Sequence, residues 1–182
     1  ISCDAIAKRL AGLHPRLARA GATNVQPMAI ADEHDPKLAR LAGKADRVLV
    51  DVPCSGIGTL RRNPDFKWRQ TEATVAALTA QQASILAAAA RLVKPGGRLI
   101  YVTCSILPEE NDRVVQTFLA AHPAFAPLPW NELTADWQHG THGTAFVNGP
   151  CPTDGVPEAV RLFPHVHGCD GFFAVVLERR SV

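Results

Sequence analysis

Several things are missing from this chain of 182 residues, and each absence narrows what it can be. Its formal net charge is only +2, too small to announce a nucleic-acid partner by bulk electrostatics. Its five cysteines are odd in number and show no Cys-x-x-Cys spacing, which fits neither a secreted disulfide framework nor a zinc site. Reduced thiols and no bound metal are therefore expected. No apolar run approaches the roughly 18 to 20 residues of a membrane span, and no basic region precedes an apolar stretch at the N-terminus. The expectation is a soluble, cytoplasmic protein with no membrane partner. No internal repeat is evident. The chain also opens at Ile1-Ser2-Cys3-Asp4 without a starting Met, which predicts a sequence that begins inside a fold already under way.

What is present begins with hydrophobic content of 47%, enough for one ordinary core, so residues 1–182 are expected to form one domain. Residues 1–4 read as the end of a strand. A helix follows to about Ala20, where Gly21 can close it in a left-handed conformation, and Pro15 should kink or restart it because proline lacks an N–H. Residues 25–30 and 48–50 are short apolar runs closed by Asp32 and by Asp51 and Pro53, and both predict strands of a covered sheet. From 71 to 93, Val75, Leu78, Ile85, Leu86, Ala89, Leu92 and Val93 recur at helical spacing, and Lys94-Pro95-Gly96-Gly97 should stop the helix. A strand over 98–103 follows. Pro108-Glu109-Glu110 then offers a fixed first-turn angle and acidic groups suited to the start of a helix reaching about Ala120. Residues 122–157 have little periodicity and predict mostly loop, in which Trp130, Trp137 and several histidines serve either as stacking rings or as cover for the core. Residues 160–163 and 171–177 read as closing strands.

Strands alternating with helices predict an α/β sheet, whose ligands bind beyond the carboxyl ends of its strands. Asp4, Asp32, Asp51, Cys54 and Cys104 all fall at such ends. Any one of them alone is commonly a turn former or a buried thiol; together on one rim they suggest a site. If the strands ending at Asp51 and Thr103 are neighbours, their backbones lie about 4.8 Å apart, close enough for Cys54 and Cys104 to address one small substrate. A redox pair is the rival explanation, and it requires Cα atoms within about 7 Å. Beside Cys54, the cations Arg61, Arg62, Lys67 and Arg69 alternate with Phe66 and Trp68. That mixture of phosphate-pairing charge and stacking rings suits nucleic acid, and equally suits a solvated loop.

The segments Asp46-Arg47-Val48-Leu49-Val50-Asp51-Val52-Pro53-Cys54-Ser55-Gly56, Arg61-Arg62-Asn63-Pro64-Asp65 and Lys67-Trp68 together resemble the Sun family of RNA cytosine-5 methyltransferases. Gly96 to Ser105, Pro108-Glu109-Glu110-Asn111, Arg161-Leu162-Phe163-Pro164-His165 and Asp170-Gly171-Phe172-Phe173 extend the likeness over nearly the whole chain, particularly toward the bacterial branch that modifies 16S ribosomal RNA. The resemblance implies a Rossmann-like class I methyltransferase sheet with helices on both faces, here the C-terminal part of a catalytic domain without the first strand and glycine-rich loop. It implies S-adenosylmethionine as cofactor, with Asp4 at the ribose, Asp32 near the adenine and Asp51 toward the methionine end. It implies Cys104 as the nucleophile on carbon 6 of cytosine, Cys54 as the thiol that helps resolve the adduct, and Asp51 as a contact to the base. RNA, with ribosomal RNA as the expected class, is the implied partner, and Arg61, Arg62 and Lys67 are its candidate contacts. A sheet lacking one strand invites pairing with another chain, so a homodimer or swapped assembly is expected. The alternative is a noncatalytic homologue that binds RNA or a protein partner.

Overall fold

In the computed structural model, which describes residues 1–129, 132 and 154–181, the chain divides at Leu41 into two units. In the first, β1 (Ser2–Asp4) pairs in parallel with β2 (Pro27–Ala29), bringing Asp4 opposite Ala29. Between them run α1 (Ala7–Ala11) and α2 (His14–Arg19). The predicted single helix is thus two, and Pro15 sits in the first turn of the second, where its missing N–H costs no hydrogen bond. Gly21 has φ 63°, as the helix end requires. The short α3 (Pro36–Ala39) is capped by Asp35, whose carboxylate accepts from the N–H groups of Lys37 and Ala31, each at 2.8 Å. Those bonds, Lys37 first, hold the Asp35 carboxyl below its ordinary range. The only buried apolar side chain of this unit is Leu10.

The second unit is built on a mixed sheet. β3 (Ala45–Asp51) pairs in parallel with β4 (Val93–Thr103), which pairs antiparallel with β7 (Phe172–Arg179). The other edge of β7 is shared by β5 (Phe125–Pro127) and β6 (Val160–Leu162). Strand β5 was not foreseen from the sequence, which predicted loop there; Trp130, Trp137 and Cys151 lie outside the described residues. Alternate residues Leu99, Tyr101 and Thr103 of β4 and Phe173, Val175 and Leu177 of β7 are buried, the period of two expected of a sheet with one fully covered face. Against this core stand Leu86, Ala89 and Ala90 of α5 (Glu72–Ala90) and Val114, Val115 and Phe118 of α6 (Asp112–Ala121).

Helix α5 opens with a reciprocal Thr71/Thr74 cap and ends at Ala90, earlier than Lys94-Pro95-Gly96-Gly97 predicted. Those four residues lie inside β4. The pairing steps from Ala45↔Val93 to Arg47↔Arg98, so the extra residues bulge outward, and Gly96 takes φ 73° to permit it. By length and composition α5 is apolar enough to cross a membrane, contrary to the expectation that no run approaches this. Its apolarity comes largely from alanine, and its Gln82 is fully buried against the sheet, as suits a core helix. A buried ion pair ties α6 to the closing strands: Arg161 donates to Asp112, whose carboxylate also accepts from the N–H of Val156.

Candidate active site

Beyond Asp51 at the end of β3, the chain leaves the sheet through Val52 and Pro53, while Cys104 follows directly on the last residue of β4. Because β3 and β4 are parallel neighbours with Asp51 opposite Val102, both exits open at the same edge. The two sulfurs stand 3.3 Å apart, both half-buried free thiols. Two thiols in contact cannot both ionise cheaply, and their environments separate them. The hydrogen bond from Cys54 pulls the Cys104 thiol down to about 7 against the opposing effects of burial and the nearby Asp51 charge. The same bond, followed by burial, pushes the Cys54 thiol far up. The pair is thus biased toward a thiolate on Cys104 that accepts a hydrogen bond from the Cys54 S–H.

What holds the thiols there is a polar network that no local sequence pattern signals. Glu110 is completely buried. Its carboxylate accepts from the N–H of Ser55 at 2.8 Å, the Ser55 hydroxyl at 2.5 Å and the Gln82 amide at 3.0 Å. The same Gln82 nitrogen donates to the Pro53 carbonyl at 2.9 Å, and Gln70 donates to the Ser55 carbonyl at 2.9 Å, so the backbone is gripped on both sides of Cys54. Tyr101 donates to the Glu110 carbonyl at 2.6 Å. The predicted role of Pro108-Glu109-Glu110 as the first turn of a helix is therefore corrected: α6 starts at Asp112, and Glu110 faces the core as an acceptor for the Cys54 loop.

The Cys104 loop is fixed by its own set. Thr103 donates to Asn111 at 2.6 Å, Asn111 donates to the Ser105 carbonyl at 3.0 Å, and the hydroxyls of Ser55 and Ser105 lie 3.4 Å apart, joining the two halves. Satisfying each buried group matters, since an orphaned donor or acceptor costs about 1–3 kcal/mol. Gly58 supplies a third link. Its N–H donates to the Cys104 carbonyl at 3.0 Å and its own carbonyl accepts from Gly171 at 2.7 Å. A Cβ at this position would lie 2.4 Å from the Gly171 oxygen and 2.6 Å from that of Cys104, so only glycine fits. The Pro-Cys, Thr-Cys-Ser and Asp-Gly-Phe-Phe segments, separate in sequence, thus meet at one point. A cavity lined by Ser105, Asn111, Arg161, Phe163 and Phe172 adjoins this framework and includes neither thiol.

The remaining predicted residues fall as follows. Asp51 is exposed at the end of β3. Arg61 and Arg62 both reach the Asp170 carboxylate, at 3.6 and 3.0 Å through their Nε atoms, while Lys67 lies 4.7 Å from the centre of the Trp68 ring. Within the first unit, Asp4 ends β1 and accepts from the N–H of Ile6 at 2.7 Å, and Asp32 follows β2 and accepts from that of His34 at 2.7 Å. Both carboxylates sit at the carboxyl ends of paired parallel strands, with acceptor capacity beyond these single backbone bonds, which fits hydroxyl and amino donors of a nucleoside. Among the described residues, no His, Cys, Asp and Glu cluster suits a metal ion.

The model of the family described as 16S rRNA methyltransferase RsmB/F matches residues 1–178. A probable ribosomal RNA small subunit methyltransferase B of Synechocystis sp. is 42% identical over 134 residues, covering 74% of this chain and 27% of that protein. The corresponding protein of Bacillus subtilis is 38% identical, covering 79% of this chain and 31% of its own length. This chain therefore spans less than a third of either relative. The crystal structure of NSun6 from Pyrococcus horikoshii with SFG superposes with a TM-score of 0.76 at 25% identity, covering 99% of this chain and 41% of that one.

Proposed function

The chain belongs to the 16S rRNA methyltransferase RsmB/F family, and we propose that it carries the chemistry for moving a methyl group from S-adenosylmethionine to carbon 5 of a cytosine in RNA, with ribosomal RNA as the substrate class. The observation that carries this reading is the contact between Cys54 and Cys104, with the second thiol the readier of the two to ionise. SFG, an analogue of S-adenosylmethionine, in a related structure supports the cofactor assignment.

In this reading the Cys104 thiolate adds to carbon 6 of cytosine, forming a carbon–sulfur bond and making carbon 5 nucleophilic. The carboxylates of Asp4 and Asp32 would hold the ribose hydroxyls and the adenine amino group of the cofactor. When bound, S-adenosylmethionine would supply an electrophilic methyl group to carbon 5 and leave as S-adenosylhomocysteine. Asp51 accepts a hydrogen bond from the exocyclic amino group of the base. Once Cys104 is bonded to carbon its negative charge is gone, and with it the largest cause of the raised Cys54 thiol. Burial still holds the Cys54 thiol up, and the fraction that has released its proton to solvent acts as the base that takes the proton from carbon 5. The electrons of that C–H bond restore the ring double bond as the carbon–sulfur bond breaks and Cys104 leaves as thiolate. Arg61 and Arg62 engage Asp170 through Nε, and their half-exposed guanidinium groups, with Lys67, suit RNA phosphates.

Trapping on RNA containing 5-fluorocytosine tests the assignment, because fluorine at carbon 5 blocks the final elimination. A covalent adduct is expected for the parent protein and for Cys54→Ala, and none for Cys104→Ala. An adduct that survives Cys104→Ala and disappears in Cys54→Ala would reverse the two roles. Absence of any adduct, with RNA still bound, would leave the noncatalytic reading.

A further inference from the structure

The segment after the Cys54 loop carries a feature that the proposed chemistry does not use. Trp68 is 80% exposed, the most exposed of the large hydrophobic side chains among the described residues. It belongs to the short helix α4 (Phe66–Arg69), and leaving an indole in water forgoes about 1.5–3 kcal/mol of burial. Its neighbours are arranged differently. Phe66 lies against Gly56, where a Cβ would come within 2.8 Å of the phenyl ring, and Gly56 itself takes φ 72°. Gln70 reaches the Ser55 carbonyl. Asn63 donates to the Thr59 hydroxyl at 3.2 Å, and Thr59 donates to the Gly56 carbonyl at 2.8 Å. Residues on both sides of Trp68 are therefore fastened to the two positions that follow Cys54, while the indole itself projects outward.

The charge around the ring is positive. Lys67 sits over the indole at 4.7 Å, and Arg61, Arg62 and Arg69 stand in the same nine-residue stretch. The carboxylates that meet them are Asp170, paired with Arg61 and Arg62, and Asp65, paired with Arg69 at 2.6 Å. A planar, solvent-facing ring with an ammonium over it, in a stretch that carries three further cations, matches a partner with a flat π-face and a negatively charged backbone.

We infer that Trp68, with Lys67, forms a stacking platform for an unpaired RNA base flanking the target cytosine, fixed relative to the reactive thiols by Phe66 and Gln70. The inference rests on the reading of the protein as an RNA-modifying enzyme and specifies how its substrate is held: single-stranded at that position, with the adjacent base splayed out. Arg61 and Arg62 then serve partly to anchor the loop through Asp170, and the sequence-independent grip comes from the indole.

The test uses the full-length protein and a short fluorescein-labelled single-stranded RNA carrying one cytosine, with binding read by anisotropy and methyl transfer measured in parallel. Trp68→Ala and Trp68→Leu are expected to weaken binding about tenfold, and Trp68→Phe no more than about threefold, since a ring retains the stacking surface. The pH midpoint for alkylation of Cys104 should be unchanged in Trp68→Phe and Trp68→Leu. Binding by Trp68→Leu equal to the parent, or by Trp68→Phe as weak as Trp68→Leu, would overturn the platform while leaving methyl transfer by the parent protein intact. A parent protein that neither binds nor methylates the RNA would instead remove the functional reading, and the platform with it. Parent-like RNA binding by Trp68→Leu together with lost affinity for an acidic protein partner would reassign the surface to protein.

Discussion

The carboxylates of the first unit and the thiols of the second are held in opposite ways. Asp4 and Asp32 each accept from a backbone N–H two residues farther along, so their placement follows from the turn that ends the strand. Cys54 and Cys104 meet across 50 residues, and Ser55 and Glu110 across 55. A local turn forms wherever its few residues adopt the right dihedral angles. A contact between distant segments exists only after the sheet has closed in the correct register, and it then rigidifies two loops at once. The strand-end carboxylates thus rest on turn chemistry, whereas the two thiols, held at a fixed separation, rest on the buried framework.

This contrast can be broken most directly at Glu110. Replacing it with Ala strands the Ser55 N–H, takes the strongest partner from the Ser55 hydroxyl and leaves one N–H of the Gln82 amide without an acceptor, and should cost about 3 kcal/mol of stability in urea unfolding. Glu110→Gln keeps one acceptor oxygen and lets the Ser55 hydroxyl reverse its bond, so about 1 kcal/mol is expected. A loss in Glu110→Ala no greater than that of a surface change would show that the loops hold themselves.

A second, smaller effect concerns the thiols. Alkylation of Cys104 by iodoacetamide in the parent should reach half its limiting rate near pH 7, slow below it where the thiol is protonated and fast above it where the thiolate dominates. Removing the donor in Cys54→Ala takes away the largest cause of the depression. The midpoint should then rise toward the ordinary thiol range, with alkylation about tenfold slower at pH 7. An unmoved midpoint would mean that the long-range pairing does not tune the nucleophile.

The smallest change sharpens the other side of the comparison. Asp32→Ala removes one exposed turn bond and should alter stability by no more than about 0.5 kcal/mol in the same unfolding measurement. A cost matching that of Glu110→Ala would place Asp32 in a framework of its own.

Much of the fold was legible before the structure. Short apolar runs and turn residues located β1, β3 and β7, Pro15 and Gly21 marked the break and end of the first helices, and the apolar spacing after Thr71 identified α5. The illegible parts have specific causes. Lys94-Pro95-Gly96-Gly97 reads as a helix stop because proline and glycine end helices, yet its place inside β4 depends on a bulge against Ala45 and Arg47 that no local pattern encodes. Glu110 reads as a helix-start acid because Pro108 precedes it; its burial depends on Gln82 and Ser55 arriving from elsewhere. Gln82, in turn, is one of two adjacent glutamines in an alanine-rich helix, and nothing nearby distinguishes the buried one.

Local chemistry was enough to place the candidate site's side chains at the strand ends and to set their order along the chain, because strand periodicity and turn preferences act over a few neighbouring residues. The tertiary structure alone decided which of those side chains touch, which acid is buried as an acceptor and which thiol ionises first. Those properties arise from hydrogen bonding and burial between segments some fifty positions apart, and such groups share a dielectric environment only once the core has formed around them.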